Sequence, residues 1–352
     1  MRIAQVAPLY ESVPPKYYGG TERVIHFLTE ALIGMGHDVT LFATKDSNTS
    51  AMLIPICPQS LRLSKACKDP IAYHILMIEK VFKQVQDFDI LHFHIDYLPF
   101  SMIRRNNKGA YCLSTMHGRL DIHELYPLFK EFYDIGLVSI SNSQRKPMLW
   151  ANWVGTVYHG LPEDLFVPYQ KTGKYLAFLG RVSPEKGLFA AIEIAEKFGM
   201  LLKIAAKIDD NDRVYYEKEI KPLLNHHLIE YIGEIGETEK NDFLGNAYAL
   251  LFPISWPEPF GLVMIEAMAC GTPVIAFPFG SVPEIMKEGK TGYMVNNTDQ
   301  AIKALEKLRG FNRRNCRRVF EEFYTSTRMA CNYLDIYKGI KNNKKTLSVI
   351  RG

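Results

Sequence analysis

The sequence predicts an α/β protein built from two doubly wound domains, and three observations carry that expectation. The chain has 352 residues, beyond the size at which one hydrophobic core keeps growing. Its first 43 residues read strand, loop, helix, strand. The same order returns at residue 174, close to half the chain away. A βαβ unit implies a parallel sheet with a right-handed crossover, and one in each half favours two such sheets over a single large one.

The elements follow in order. "RIAQVA" is short and apolar, a first strand. Pro14, Pro15, Gly19 and Gly20 punctuate the next loop, and "TERVIHFLTEALIGMG" carries apolar residues at helical spacing. Thr21 suits its N-cap and Gly36 its stop. "HDVTLFA", "DILHFHI", "AYCLSTM", "GLVSIS" and "GTVYHG" read as further strands. In the second half "KYLAFLG" is a strand, "RVSPEKG" a loop, "LFAAIEIAEKFG" a helix and "MLLKIAA" a strand; "LIEYIG", "YALLFP", "TPVIAF" and "TGYMV" complete the set. The boundary is expected in "GLPEDLFVPYQKTG", where Pro162, Pro168 and Gly173 interrupt a stretch without periodicity. This gives domains over 1–165 and 166–330, with a C-terminal helix over 331–352 packing back on the first.

Composition bounds the function. Hydrophobic content of 47% and charged content of 23% are ordinary for a soluble globular enzyme. A net charge of +4, spread along the chain, is too weak to suggest nucleic-acid binding. The six cysteines show no Cys-x-x-Cys spacing and mostly sit in apolar runs, the pattern of reduced, buried thiols. "MRIAQVAPLY" reads as a first strand and not as a signal peptide, and no apolar run reaches the ~18 residues of a membrane span. A cytoplasmic protein is expected.

The chemistry is concentrated in "SWPEPFGLVMIEAMACGTPVIAF", which places Glu258 and Glu266 in an otherwise apolar run. Pro257 and Pro259 disfavour helix around Glu258. "LVMIEAMAC" is helical in character until Gly271-Thr272-Pro273. Glu258 should therefore precede a helix N-terminus and Glu266 lie inside the helix. A solvated face explains Glu266 poorly, because Val263, Ile265, Ala267 and Ala269 surround it. Eight helical residues span roughly 12 Å, longer than the about 5–9.5 Å between glycosidase carboxylates. Such a pair suits the two ends of one extended ligand.

This segment resembles the signature of family 4 retaining glycosyltransferases of the GT-B fold, in which two Rossmann-like domains face each other across a cleft. The resemblance covers nearly the whole chain. It implies that Glu258 contacts hydroxyls of a donor sugar and that Glu266 holds the ribose of its nucleotide. Backbone N–H groups at Phe260, Gly261 and Leu262 would face sugar and phosphate, as a helix N-terminus should. "FLGRVSPEKG" supplies Arg181 and Lys186, which would otherwise be ordinary surface cations; the resemblance assigns them the pyrophosphate. Gly19 and Gly20 are a weak phosphate signal alone, but match the family loop that approaches the diphosphate. "YIGEIG" matches its base-binding turn, with Gly233 and Glu234 meeting the nucleobase.

Other motifs have competing explanations. His92, His94 and Asp96 alternate along one expected strand and mimic metal ligands. No further ligand lies nearby in sequence, and the resemblance implies histidines lining the cleft at a strand end. His117 in "STMHGR" resembles the family histidine that contacts the donor sugar; its alternative is a satisfied core residue. Asp210-Asn211-Asp212 matches the Asp-x-Asp of metal-dependent transferases, yet precedes a helical pattern that N-capping explains. Arg313, Arg314, Arg317 and Arg318 form a basic run, ordinarily a solvated face, with weak contact to anionic membrane as a lesser reading.

Together these imply a retaining glycosyltransferase that moves a sugar from a UDP- or GDP-sugar to an unidentified glycan, lipid or small-molecule acceptor. No metal and no cofactor are expected: Arg181, Lys186 and the helix dipole would stabilise the leaving diphosphate. His117 and Glu258 would orient the sugar. Rival readings are a phosphorylase or nucleotide-sugar epimerase of the same fold, or a non-catalytic nucleotide-sugar binder.

Overall fold

The computed structural model describes residues 1–16, 19–106 and 109–350. It divides the chain into two units, Met1–Gly160 together with the C-terminal helix, and Leu161–Thr325.

The first unit is a seven-stranded parallel sheet of order β3-β2-β1-β4-β5-β6-β7. Its strands are β1 (Arg2–Val6), β2 (Asp38–Ala43), β3 (Met52–Pro55), β4 (Ile90–Phe93), β5 (Tyr111–Thr115), β6 (Leu137–Ser139) and β7 (Trp153–Thr156). Helices α1 (Gly20–Gly34), α2 (Pro70–Lys83), α3 (Phe100–Arg105) and α4 (Leu125–Glu131) lie between them. Crossover helices cover both faces of such a sheet, so its inner strands are buried and mainly apolar rather than alternating. Ile3, Ala4 and Val6 of β1 are fully buried. Val24, Ile25, Phe27, Leu28 and Leu32 form the buried stripe of α1, at the spacing of a core-facing helix. That helix starts one residue before Thr21, with Gly19 as its cap, because the Gly19 carbonyl already accepts the N–H of Arg23 at 3.2 Å. Strand β3 was not expected. It is a short edge strand, Met-Leu-Ile-Pro, with Met52 68% exposed; its apolar run is broken by Pro55, and a proline within a run argues against a strand.

The second unit is a six-stranded parallel sheet of order β10-β9-β8-β11-β12-β13. These are β8 (Tyr175–Arg181), β9 (Leu202–Lys207), β10 (Ile229–Gly233), β11 (Ala247–Phe252), β12 (Val274–Ala276) and β13 (Gly292–Met294). Its helices are α5 (Leu188–Phe198), α6 (Arg213–Tyr215), α7 (Glu237–Gly245), α8 (Leu262–Ala269), α9 (Val282–Ile285), α10 (Thr298–Lys307) and α11 (Arg314–Phe323). Leu176, Phe178, Ile192, Leu202, Ile204 and Leu251 anchor its core. Helix α12 (Ser326–Ile350) then rejoins the first unit, against α1, β5 and β7.

The basic run is only in part an outward face: Arg314 and Arg318 are exposed, whereas Arg313 and Arg317 turn inward. Arg313 is 6% exposed and donates to the carbonyls of Tyr169 (3.0 Å), Ala247 (2.7 Å) and Gly245 (2.7 Å). Arg317 donates to the carbonyls of Phe166, Ala269 and Glu163. These two guanidiniums clip loops together, which leaves Arg314 and Arg318 as the solvent-facing part of the run. Among the described residues no helix is long and apolar enough to cross a membrane. All six cysteines are free, with Cys57, Cys270 and Cys316 buried and Cys331 exposed.

Candidate active site

In each sheet the strand order reverses direction at one point: between β1 and β4, and between β8 and β11. Crevices at the carboxyl ends of strands at such switch points are where open α/β sheets bind ligands. The residues singled out in the sequence cluster at both.

In the second unit, β8 ends on Arg181, and a tight turn over Pro184–Lys186 follows. Gly187 closes the turn at φ 75°, and any Cβ there would collide with the Pro253 carbonyl. Only glycine lets the turn lie against the end of β11, where Ser255 N–H donates to the Glu185 carbonyl at 3.0 Å. This approach brings the Lys186 ammonium onto a carboxylate oxygen of Glu258. The same oxygen accepts the indole N–H of Trp256 at 3.0 Å, and the ammonium lies 4.9 Å from the Trp256 ring centroid. Glu258 is 9% exposed. From the other side, Gly280 touches the Glu258 backbone so closely that no side chain would fit. Ser281 secures the loop, its N–H donating to the Glu258 carbonyl (3.0 Å) and its hydroxyl to that of Phe260 (2.8 Å).

Gly261 caps α8, no side chain caps its first turn, and Leu262 begins it. Glu266 lies within the helix at 2% exposure, and Lys240 of α7 approaches its carboxylate at 3.2 Å. A buried carboxylate stays ionised only with such compensation. Each of the two glutamates thus has its own lysine.

Arg181 is surrounded by acids: Glu185 at 2.6 Å, Asp212 at 3.3 Å and Asp209 at 3.8 Å. The expected capping by Asp210 and Asp212 is not found. Neither the turn at Asp210 nor α6 has a side-chain cap; Asp212 faces Arg181, and Asp210 reaches Arg213 at 3.3 Å. The loop after β9 adjoins the end of β8, so tertiary pairing overrides the local motif. Gly233 ends β10, where the pairing register slips, and Glu234 beside it is exposed.

In the first unit, Gln5 lies on β1, while His94, His117 and His159 follow β4, β5 and β7. Gln5 Oε1 lies 2.7 Å from His94 Nε2, and His94 Nδ1 lies 2.8 Å from His117 Nε2. The His117 and His159 rings stack at 5.4 Å. His92 is engaged at both ring nitrogens, by the Tyr337 hydroxyl and Thr115 Oγ1, each at 2.7 Å. Asp96 does not share the face of His92: the strand ends at Phe93, and Asp96 sits exposed in a turn at φ 51°. Burial depresses the basicity of all four histidines, that of His117 down to about 3. Gly19 and Gly20 open α1 over the buried Glu22, whose carboxyl burial pushes up to about 7.

Residues 18–177 match the family model described as Glycosyltransferase Family 4, and residues 166–314 match Glycosyl transferases group 1. The chain belongs to the family 4 glycosyltransferases. It is 23% identical over 325 residues to the phosphatidyl-myo-inositol mannosyltransferase of Mycobacterium tuberculosis, covering 84% of this chain and 82% of that one. A shorter stretch of 130 residues, 34% of each chain, is 34% identical to the N-acetyl-alpha-D-glucosaminyl L-malate synthase of Bacillus anthracis. Among solved structures, the sucrose-phosphate synthase of Thermosynechococcus elongatus matches with TM-score 0.77 and 18% identity, over 97% of this chain and 99% of that one. Anabaena HepE in complex with UDP and glucose matches with TM-score 0.72 and 13% identity, over 95% and 98%. The fold of this glycosyltransferase is GT-B, two Rossmann-like units.

Four residues near this glycosyltransferase's candidate site gave little sign in the sequence. Lys240 lies in "ETEKNDF", a polar helix that reads as solvated. Gly280 and Ser281 had one available signal, a Gly-Ser pair shortly after an apolar strand. Gln5 is a polar residue inside a strand whose fellows are core.

Proposed function

We propose that this glycosyltransferase moves a sugar from a UDP- or GDP-sugar to an acceptor hydroxyl with retention of configuration and without a divalent metal. One observation carries the reading: Glu258 and Glu266 are both buried and flank the N-terminus of α8, each beside its own lysine. Glu266 suits the two ribose hydroxyls, since an ionised carboxylate is acceptor-only. Glu258 suits hydroxyls of the sugar, and the N–H groups at Phe260, Gly261 and Leu262 suit the diphosphate between them. Arg181 and Lys186 would offset the charge of the departing diphosphate, with Gly19 and Gly20 approaching it and Gly233 and Glu234 meeting the base. His117 and His94 line the sugar end. Glu258 is engaged with Lys186 and Trp256 and is poorly placed as a covalent nucleophile, which favours departure and attack on one face of the sugar. The acceptor is a glycan, a lipid or a small molecule.

A thermal-shift screen against UDP, GDP, ADP and their sugars tests this, because a ligand of the native state raises stability by RT ln(1 + [L]/Kd). One uridine or guanosine family should raise Tm, and stabilisation by none would overturn the reading. With the donor in hand, turnover should survive EDTA, and NMR of the product should show the donor's anomeric configuration kept.

A further inference from the structure

We propose that Gln5 and His94 are positioning residues that set the tautomer of His117, so that His117 Nδ1 accepts a hydrogen bond from a hydroxyl of the sugar substrate. The proposal rests on the sugar-contacting role given to His117 above.

Gln5 is a fully buried amide on β1, and burying an amide without partners is costly. Its partners impose a direction. The carbonyl oxygen can only accept, so His94 Nε2, at 2.7 Å, carries hydrogen and donates. A neutral imidazole has one N–H, and burial keeps His94 neutral, which leaves His94 Nδ1 a lone pair. That lone pair lies 2.8 Å from His117 Nε2, which must therefore donate. His117 then presents a bare acceptor at Nδ1.

His117 Nδ1 is buried and has no hydrogen-bond partner among the described residues. An acceptor left so has lost its bond to water without a replacement, and regains one when a ligand O–H donates to it. A phosphate or carboxylate oxygen has no hydrogen to offer; a sugar hydroxyl does. Two contacts hold the chain in this sense. The Gln5 amide N–H₂ faces the Tyr337 hydroxyl at 3.4 Å, and that hydroxyl, 2.7 Å from His92 Nδ1, donates onward. The stacked ring of His159, 16° from parallel, keeps the His117 imidazole from turning.

The test is long-range ¹H–¹⁵N correlation on the full-length protein labelled with ¹⁵N-histidine, with His117→Gln used to assign the His117 signals. In the wild type His117 should be protonated at Nε2 and pyridine-like at Nδ1. Gln5→Met should abolish this single tautomer and lower kcat/KM about tenfold, with affinity for free nucleotide diphosphate unchanged. Gln5→Glu, which still accepts from His94, should restore both. A proton on His117 Nδ1 in the wild type would overturn the proposal, as would the wild-type tautomer persisting in Gln5→Met. The wild-type spectrum decides even if Gln5→Met fails to fold. It needs no ligand, so failure of nucleotide-sugar binding would sink the proposed function and leave this result standing.

Discussion

Lys186 and Glu258, 72 positions apart in the chain, form an ion pair with the Trp256 indole N–H on the same carboxylate oxygen. Both side chains are largely buried, at 18% and 12% exposure. The pair joins the loop after β8 to the loop after β11, and so couples the cation proposed for the diphosphate with the acid proposed for the sugar.

Removing one partner of such a pair strands the other charge. Lys186→Met should lower Tm by several degrees, while Glu258→Gln, a neutral isostere that keeps the indole bond, should cost less. The double variant should be more stable than the sum of the two losses implies, with a coupling of about 0.5–3 kcal/mol. Thermal unfolding of the four proteins measures it, and strict additivity would show that the two groups do not depend on each other.

The acids around Arg181 should oppose anion binding. Asp212→Asn removes a charge 3.3 Å from the guanidinium and should tighten nucleotide diphosphate several-fold, most clearly at low salt, where screening is weak. Arg181→Ala should do the reverse and reduce turnover by about a hundredfold, as losing an electrostatic stabiliser does. Calorimetry with free UDP or GDP in both variants checks the opposite signs.

The pH dependence of stability has two components of opposite sign. His117 is pushed by burial from 6.5 to about 3, so the folded state binds fewer protons than the unfolded one across that window. Its contribution is complete above 6.5 and is lost as pH falls toward 3; His92, His94 and His159 act in the same direction. Glu22 is raised from 4.5 to about 7, so its contribution is full below 4.5 and is lost as pH rises to 7. Glu22→Gln should therefore stabilise the protein at pH 7, on the order of 3 kcal/mol at most, with the difference vanishing near pH 4.5. Urea midpoints at the two pH values provide the measurement.

How far these features were legible depends on where their partners lie. The buried strands were, because crossover helices cover both of their faces; β3 was not, because Pro55 interrupts its apolar run and proline is confined to edge strands. Glu258 and Glu266 stood out because prolines, glycines and apolar neighbours bracket them locally. Lys240 pairs with Glu266 from 26 positions away, and nothing in its own polar helix marks that. Asp212 misled because its sequence neighbours suggest a helix cap, whereas its partner Arg181 ends the adjacent strand. Gln5 escaped notice for the same reason: its meaning lies in His94, 89 positions on.

Glu266→Gln keeps the shape of the side chain and removes the charge that would hold the ribose; Glu258→Gln does the same at the sugar end. Calorimetry of each variant should compare the free nucleotide diphosphate with its nucleotide sugar. Glu266→Gln should weaken both ligands alike, by about 1.5–3 kcal/mol for a lost bond to a charged acceptor, or roughly 10- to 150-fold. Glu258→Gln should weaken the nucleotide sugar and leave the free nucleotide diphosphate unaffected or tighter. Equal losses for both ligands in both variants, or no loss in either, would contradict the assignment of the two carboxylates to opposite ends of one donor.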